Sequence, residues 1–226
     1  MKAIFTALLM ATSMVATGAA AQDYQRPGVP SLRDRVAAHD RLIKARLDTV
    51  VPKIMREVGV DMWVLVSSEY NEDPVVKTML PATWASARRT MVLIFFDRGP
   101  EKGVERLAVS RYPVGDIFPA AWDPEAQPEQ WGRVAQLIAE RNPKRIAVNI
   151  NPTFALANGL SAGEHRQLLT ALGPAAAKLE SHERMALLAA HSLEPELRDL
   201  YADLLASEAR HFGLYWLLCE ERYGRE

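Results

Sequence analysis

Three kinds of apolar pattern divide this chain. Over residues 32–57 apolar positions recur at spacings of three and four, which predicts an amphipathic helix. Ser31 stands where its hydroxyl can cap the first turn. Pro52 lacks a backbone N–H and is expected to kink or divide the helix, and Gly59 supplies a left-handed stop. Two short runs follow, MWVLVSS at 62–68 and TMVLIFF at 90–96, and neither alternates polar with apolar residues. That predicts strands covered on both faces. Further strands are predicted at 105–109, after the turn residues Gly99 to Gly103, and at 145–150. A helix at 130–140 is stopped by Asn142-Pro143. Another, reaching Leu172, opens on a Ser161–Glu164 capping box and closes at Gly173-Pro174. The alternation predicts an α/β fold, a mixed sheet with flanking helices.

The second pattern is polar. Residues 69–89 hold Glu69, Glu72, Asp73, Lys77, Arg88 and Arg89 beside Tyr70 and Trp84. Loops of this length are often functional or carry a short helix. The stretch reads as a solvated face, with a site on the rim of the sheet as the alternative. Residues 113–128, with four prolines, Phe118 and Trp122, read as an ordered irregular loop.

The third pattern begins at Lys178. LESHERMALLAAHS and LEPELRDLYADLLASEARHFGLYWLLCEERYGRE predict a C-terminal two-helix hairpin over 178–226, broken near 192–195. Leu197, Leu200, Tyr201, Leu204, Phe212, Tyr215 and Leu218 form an apolar stripe, and Glu208 and His211 fall inside it on one face. Unpaired burial of such groups is costly. A buried Glu–His hydrogen bond or a metal site would each explain them. A hairpin with this stripe cannot cover itself, so self-association through the hairpin or the α/β domain is expected, or docking on that domain.

Charge and composition add limits. The 226 residues suit one domain with an appendage, and 49% apolar and 24% charged residues are ordinary for a globular protein. A net charge of -1 gives no reason to expect a nucleic-acid partner. The lone Cys219 excludes an intramolecular disulfide and a Cys-based zinc site. Lys2, the apolar stretch over 3–16 and Ala19-Ala20-Ala21 follow the plan of a signal peptide over 1–21, with a lead-in over 22–40. The apolar run is shorter than the ~20 residues of a membrane span. The expected location is therefore periplasmic or secreted, with no membrane contact after cleavage.

The wording of the first half carries a resemblance. RLDTVVPKIMREVGVDMWVLVSSEYNEDPVVKTMLP, ARRTMVLIFFDRG, VERLAVSRYPVG and NPKRIAVNINPTFALANGLSAGEH resemble the N-terminal domain of the creatinase/prolidase (Xaa-Pro aminopeptidase-like) metallopeptidases. The resemblance implies a non-catalytic α/β domain over 41–174 that contributes to oligomer contacts. It also implies a following catalytic domain with two metal ions, for which the residues after Pro174 leave no room.

The second half resembles another family. SHERMALLAAHS with ELRDLYADLLASEARHFGLYWLL is similar to the C-terminal helices of the ferritin-like di-iron tRNA hydroxylases that act on methylthio-isopentenyl-adenosine. By that resemblance Glu208 and His211 are iron ligands. Lys178 stands where the family has a glutamate, and residues 178–226 hold six Lys/Arg against ten Asp/Glu, a net of -4, which disfavours a phosphate backbone. No catalytic residue is assigned, and no cofactor is expected unless other ligands complete the pair and iron binds. The leading expectation is a chimeric or truncated chain, a metallopeptidase's non-catalytic module joined to a helical fragment and not active alone. Two alternatives are a tRNA hydroxylase fragment that binds metal through Glu208 and His211, and a subunit working with a catalytic metallopeptidase partner.

Overall fold

The computed structural model describes residues 30–181. The predicted first helix is α1 (Leu32–Ala45), a single π-helical turn at Arg46–Val50, and α2 (Val51–Val58). Ser31 caps α1 by accepting from the Asp34 N–H. Pro52 lies in the first turn of α2, and the backbone stays right-handed through Ala45, Arg46, Val50 and Val51. The missing proline donor is thus accommodated by widening one turn, a common remedy for a break in the helical ladder. Gly59 ends α2 at φ 69°.

The sheet comprises β1 (Met62–Ser68), β2 (Thr90–Asp97), β3 (Val104–Val109), β4 (Ile146–Val148) and β5 (Leu179–Ser181), in the order β3-β2-β1-β4-β5. β1 pairs antiparallel with β2, and β2 with β3. On its other side β1 pairs parallel with β4, which pairs parallel with β5. The mixed α/β sheet expected from the sequence is present. Short α3 (Pro74–Lys77) lies in the polar insert, α4 (Gln130–Arg141) precedes β4, and α5 (Ala162–Leu172) follows it.

Side chains alternate across the sheet, as the two-residue period demands. Trp63, Leu65, Leu93, Phe95 and Ala147 pack with Leu47, Val51, Ile54 and Met55 of the first helices, and with Met79 and Leu80. Met62, Val64, Val66, Ile94, Ile146 and Val148 pack with Val134, Leu137 and Ile138 of α4 and with Leu168 and Leu172 of α5. Burial on both faces explains why β1 and β2 read as unbroken apolar runs. Arg141, in the last turn of α4, grips Glu105 of β3 at 2.6 and 3.1 Å and holds that carboxyl below its usual range.

Among the described residues α1 at Leu32 precedes, and β5 at Leu179–Ser181 follows, the 41–174 read from the sequence. Residues 178–181, placed by the sequence in the helical hairpin, complete a 3-10 turn at Gly173–Lys178 and form β5. The reason is tertiary: β4 offers a free edge, and Ile146, Ala147 and Val148 pair with Leu179, Glu180 and Ser181. The signal peptide expected over 1–21 and the rest of the expected hairpin lie outside the described residues. No helix among the described residues is long and apolar enough to cross a membrane.

Candidate functional site

The parallel pair β1 and β4 brings its carboxyl ends together, the place where open α/β sheets commonly bind ligands. A polar network is buried there. Trp63 Nε1 donates to Asn149 Oδ1 at 3.1 Å, and Asn149 Nδ2 donates to Asp73 Oδ2 at 2.8 Å. Asp73 Oδ1 accepts from the N–H groups of Val75 and Val76, capping α3, and its own N–H donates to Ser67 Oγ. Asp73 and Ser67 are fully buried and Asn149 is 2% exposed. Burial pushes the Asp73 carboxyl up to about 6 against the opposing pull of its hydrogen bonds, with the nearby Glu164 charge adding to the rise.

Gly159 closes the network. Its N–H and that of Leu160 donate to the Asn149 carbonyl, and a Cβ at this position would lie 1.8 Å from Asp73 Oδ2. Beside it, Ser68 donates to Glu164 Oε1 at 2.5 Å, while Glu164 Oε2 and Ser161 complete the capping box of α5. This arrangement fastens β1, α3, β4 and α5 together. Both Asp73 oxygens are engaged and water is excluded, so the carboxyl is built to hold rather than to exchange protons with a substrate.

The outer rim is different. The Arg88 guanidinium lies 6.0 Å from the ring centres of both Trp84 and Tyr112, and Tyr70 is 93% exposed with φ 67°. Two nearby arginines are paired, Arg89 with Glu69 at 3.8 Å and Arg111 with Glu125 at 3.3 Å.

The sequence reading of 69–89 as a solvated face holds for Tyr70, Arg88 and Arg89 and fails for Asp73. Its signal was local and legible: Asp-Pro before an apolar pair marks a capped first turn. Nothing local tied Asp73 to Asn149, 76 residues away. Glu208 and His211 lie outside the described residues. Among the described residues no group of three or more His, Cys, Asp or Glu is placed to hold a metal ion.

Comparison with known families gives one match. The family model described as tRNA-(MS[2]IO[6]A)-hydroxylase (MiaE) matches residues 129–226, less than half of the chain. No curated protein and no solved structure matches. The expected identity as the non-catalytic module of a creatinase/prolidase-type metallopeptidase is therefore corrected, because the family that matches is the hydroxylase and no comparison supports the other. The stretches behind that expectation are largely β1, β2, β3, β4 and their turns. Their apolar wording follows from burial on both faces and is not specific to one family. Residues 129–181 of the matched stretch fold as α4, β4, α5 and β5, not as bundle helices. The C-terminal part of the chain is similar to the tRNA hydroxylase family.

Proposed function

We propose that this chain belongs functionally with the tRNA hydroxylases, its C-terminal segment directed to a modified tRNA adenosine and its Glu208–His211 pair directed to iron. The family match over 129–226, which spans both residues, carries the reading.

The ligand count limits it. Di-iron bundles use a Glu-x-x-His on each of two helices and a glutamate on each of two more. This chain has one Glu-x-x-His, at 208–211. Glu180, the carboxylate nearest the end of the described residues, is held by Arg145 at 2.8 Å. One copy does not fit a di-iron centre, and no hydroxylation step is derived through the metal. Two copies would bring two such pairs, so the test is read per dimer.

The chain purified with ferrous salt under anaerobic conditions is expected to carry about one iron or more per two chains. Glu208→Ala and His211→Ala should each lose it. Iron well below one per dimer, or iron unchanged in both variants, would remove the metal from the reading. Location gives a second check. A leader cleaved after Ala21 would take the protein away from cytoplasmic tRNA, so a mature N-terminus at Met1 supports the hydroxylase reading and one at Gln22 opposes it.

A further inference from the structure

We infer that the α4–α5 face is the docking groove for the chain's own C-terminal helical segment, residues 195–222. A groove of 690 Å³ opens between Trp131 and Gly132 of α4 and Gln167 and Thr170 of α5. It continues into one of 470 Å³ walled by Ala135, Ala139 and Ala175, and Ala171 lines both. Gly132, Gly163, Ala135, Ala139, Ala171 and Ala175 are small enough to let a third helix approach closely, and polar Glu129, Gln167 and Thr170 line the groove beside them. The 12 residues of α4 are about 18 Å long, so about three turns of the 28-residue segment can lie against it at once.

Where the chain leaves the sheet selects the occupant. β5 ends at Ser181 beside Val148, at the carboxyl ends of the parallel strands. The Gly163 end of the groove lies at the same end of the sheet, because α5 starts soon after β4 leaves it. Thirteen residues separate Ser181 from Pro195, enough to climb over α5 even if most are helical. The segment that follows repeats apolar residues at helical spacing from Leu197 to Leu218 and needs a surface to cover them.

Charge agrees. Residues 182–226 hold five arginines against nine acidic residues, and the groove presents Arg166 and Lys178 against the single acid Glu129. The stripe's carboxylate, Glu208, would find a cation there. The inference stands on the groove and the chain's exit, not on the hydroxylase reading: a docked helix without iron leaves it intact, and iron binding without docking removes it.

A nitroxide placed at position 220 of the metal-free, full-length Cys219→Ser/Glu220→Cys variant tests it. Position 220 falls opposite the stripe, so the label does not enter the contact. Amides of Ala135, Ala139 and Ala171 are expected to lose intensity and recover when the label is reduced, while those of Lys53 and Glu57, on α2, keep theirs. Adding Ala171→Glu should restore the lost intensity. No loss on α4 and α5, equal loss on α2, or loss that survives Ala171→Glu would overturn the proposal. So would loss seen on an unlabelled second copy mixed with the spin-labelled one, which would show the groove serving another molecule.

Discussion

Gly159→Ala is expected to destabilise the α/β unit by about 3 kcal/mol or more, lowering its melting temperature by roughly 6–12 °C. The added Cβ would fall 1.8 Å from Asp73 Oδ2, 2.3 Å from its Cγ and 2.7 Å from its Cβ. None of these atoms can move aside. Asp73 is held by Val75, Val76, Asn149 and Ser67, and Gly159 itself is tied to the Asn149 carbonyl. Relief would require giving up part of this network and leaving buried donors without partners. Gly163→Ala is the control, since its Cβ would meet only Ser161 Oγ at 3.9 Å and alanine favours a helix. Thermal unfolding of the two variants beside the parent decides it. A Gly159→Ala protein within about 0.5 kcal/mol of the parent would show that the packing is looser than described.

The second large effect is a dependence on pH. The Asp73 carboxyl stands at about 6 in the folded chain against an ordinary value of 3.8, mainly through burial. Below the unfolded value both states hold the proton and no stability is lost. Between the two values the unfolded chain releases it first, so stability falls as pH rises, and above about 6 the loss is complete. A shift of this size corresponds to a loss on the order of 3 kcal/mol. Asp73→Asn cannot ionise. Its stability relative to the parent should therefore climb by most of that amount from pH 4 to pH 7. A constant offset is expected as well, because the new amide meets the Asn149 amide donor to donor at about 1–2 kcal/mol. The slope therefore carries the test. Asp48, Asp97 and Glu105, held low by Lys44, Arg56 and Arg141 respectively, lose stability in acid with the opposite sign, and they do so in both proteins. Denaturant unfolding across that range measures the difference. A flat difference would show an ordinary carboxyl at position 73.

How much of this was legible depended on sequence distance. Ser31, Gly59 and the Ser161–Glu164 box act within a few residues, and each appears where the local wording placed it. Apolar runs 62–68 and 90–96 revealed their burial because both faces demanded it. Leu179–Ser181 misled because its residues also suit a helix, and only the free edge of β4 made them a strand. Pro52 announced an interruption but not its form, since a kink and a widened turn both dispose of the missing donor. The Trp63–Asn149–Asp73 network was invisible because its members are separated by 76 and 86 residues and no short pattern joins them. For Glu208 and His211 the local pattern named the residues, and they lie outside the described residues.

The order of strands in the sheet carries a consequence for how the chain reaches this fold. β1, β2 and β3 are neighbours both in the chain and in the sheet, so their pairing closes shorter loops than the one that brings in β4. β4 reaches β1 across more than eighty residues, Met62 to Ile146, and joins at a greater entropic cost. The meander is therefore expected to pair before β4 joins it, and the bond between Trp63 and Asn149 requires β4 in place. Among the described residues these buried polar groups latch β4 to the rest of the fold, and a chain in which β4 has not docked leaves Asp73 Oδ2 without the Asn149 amide and the parallel edge of β1 bare.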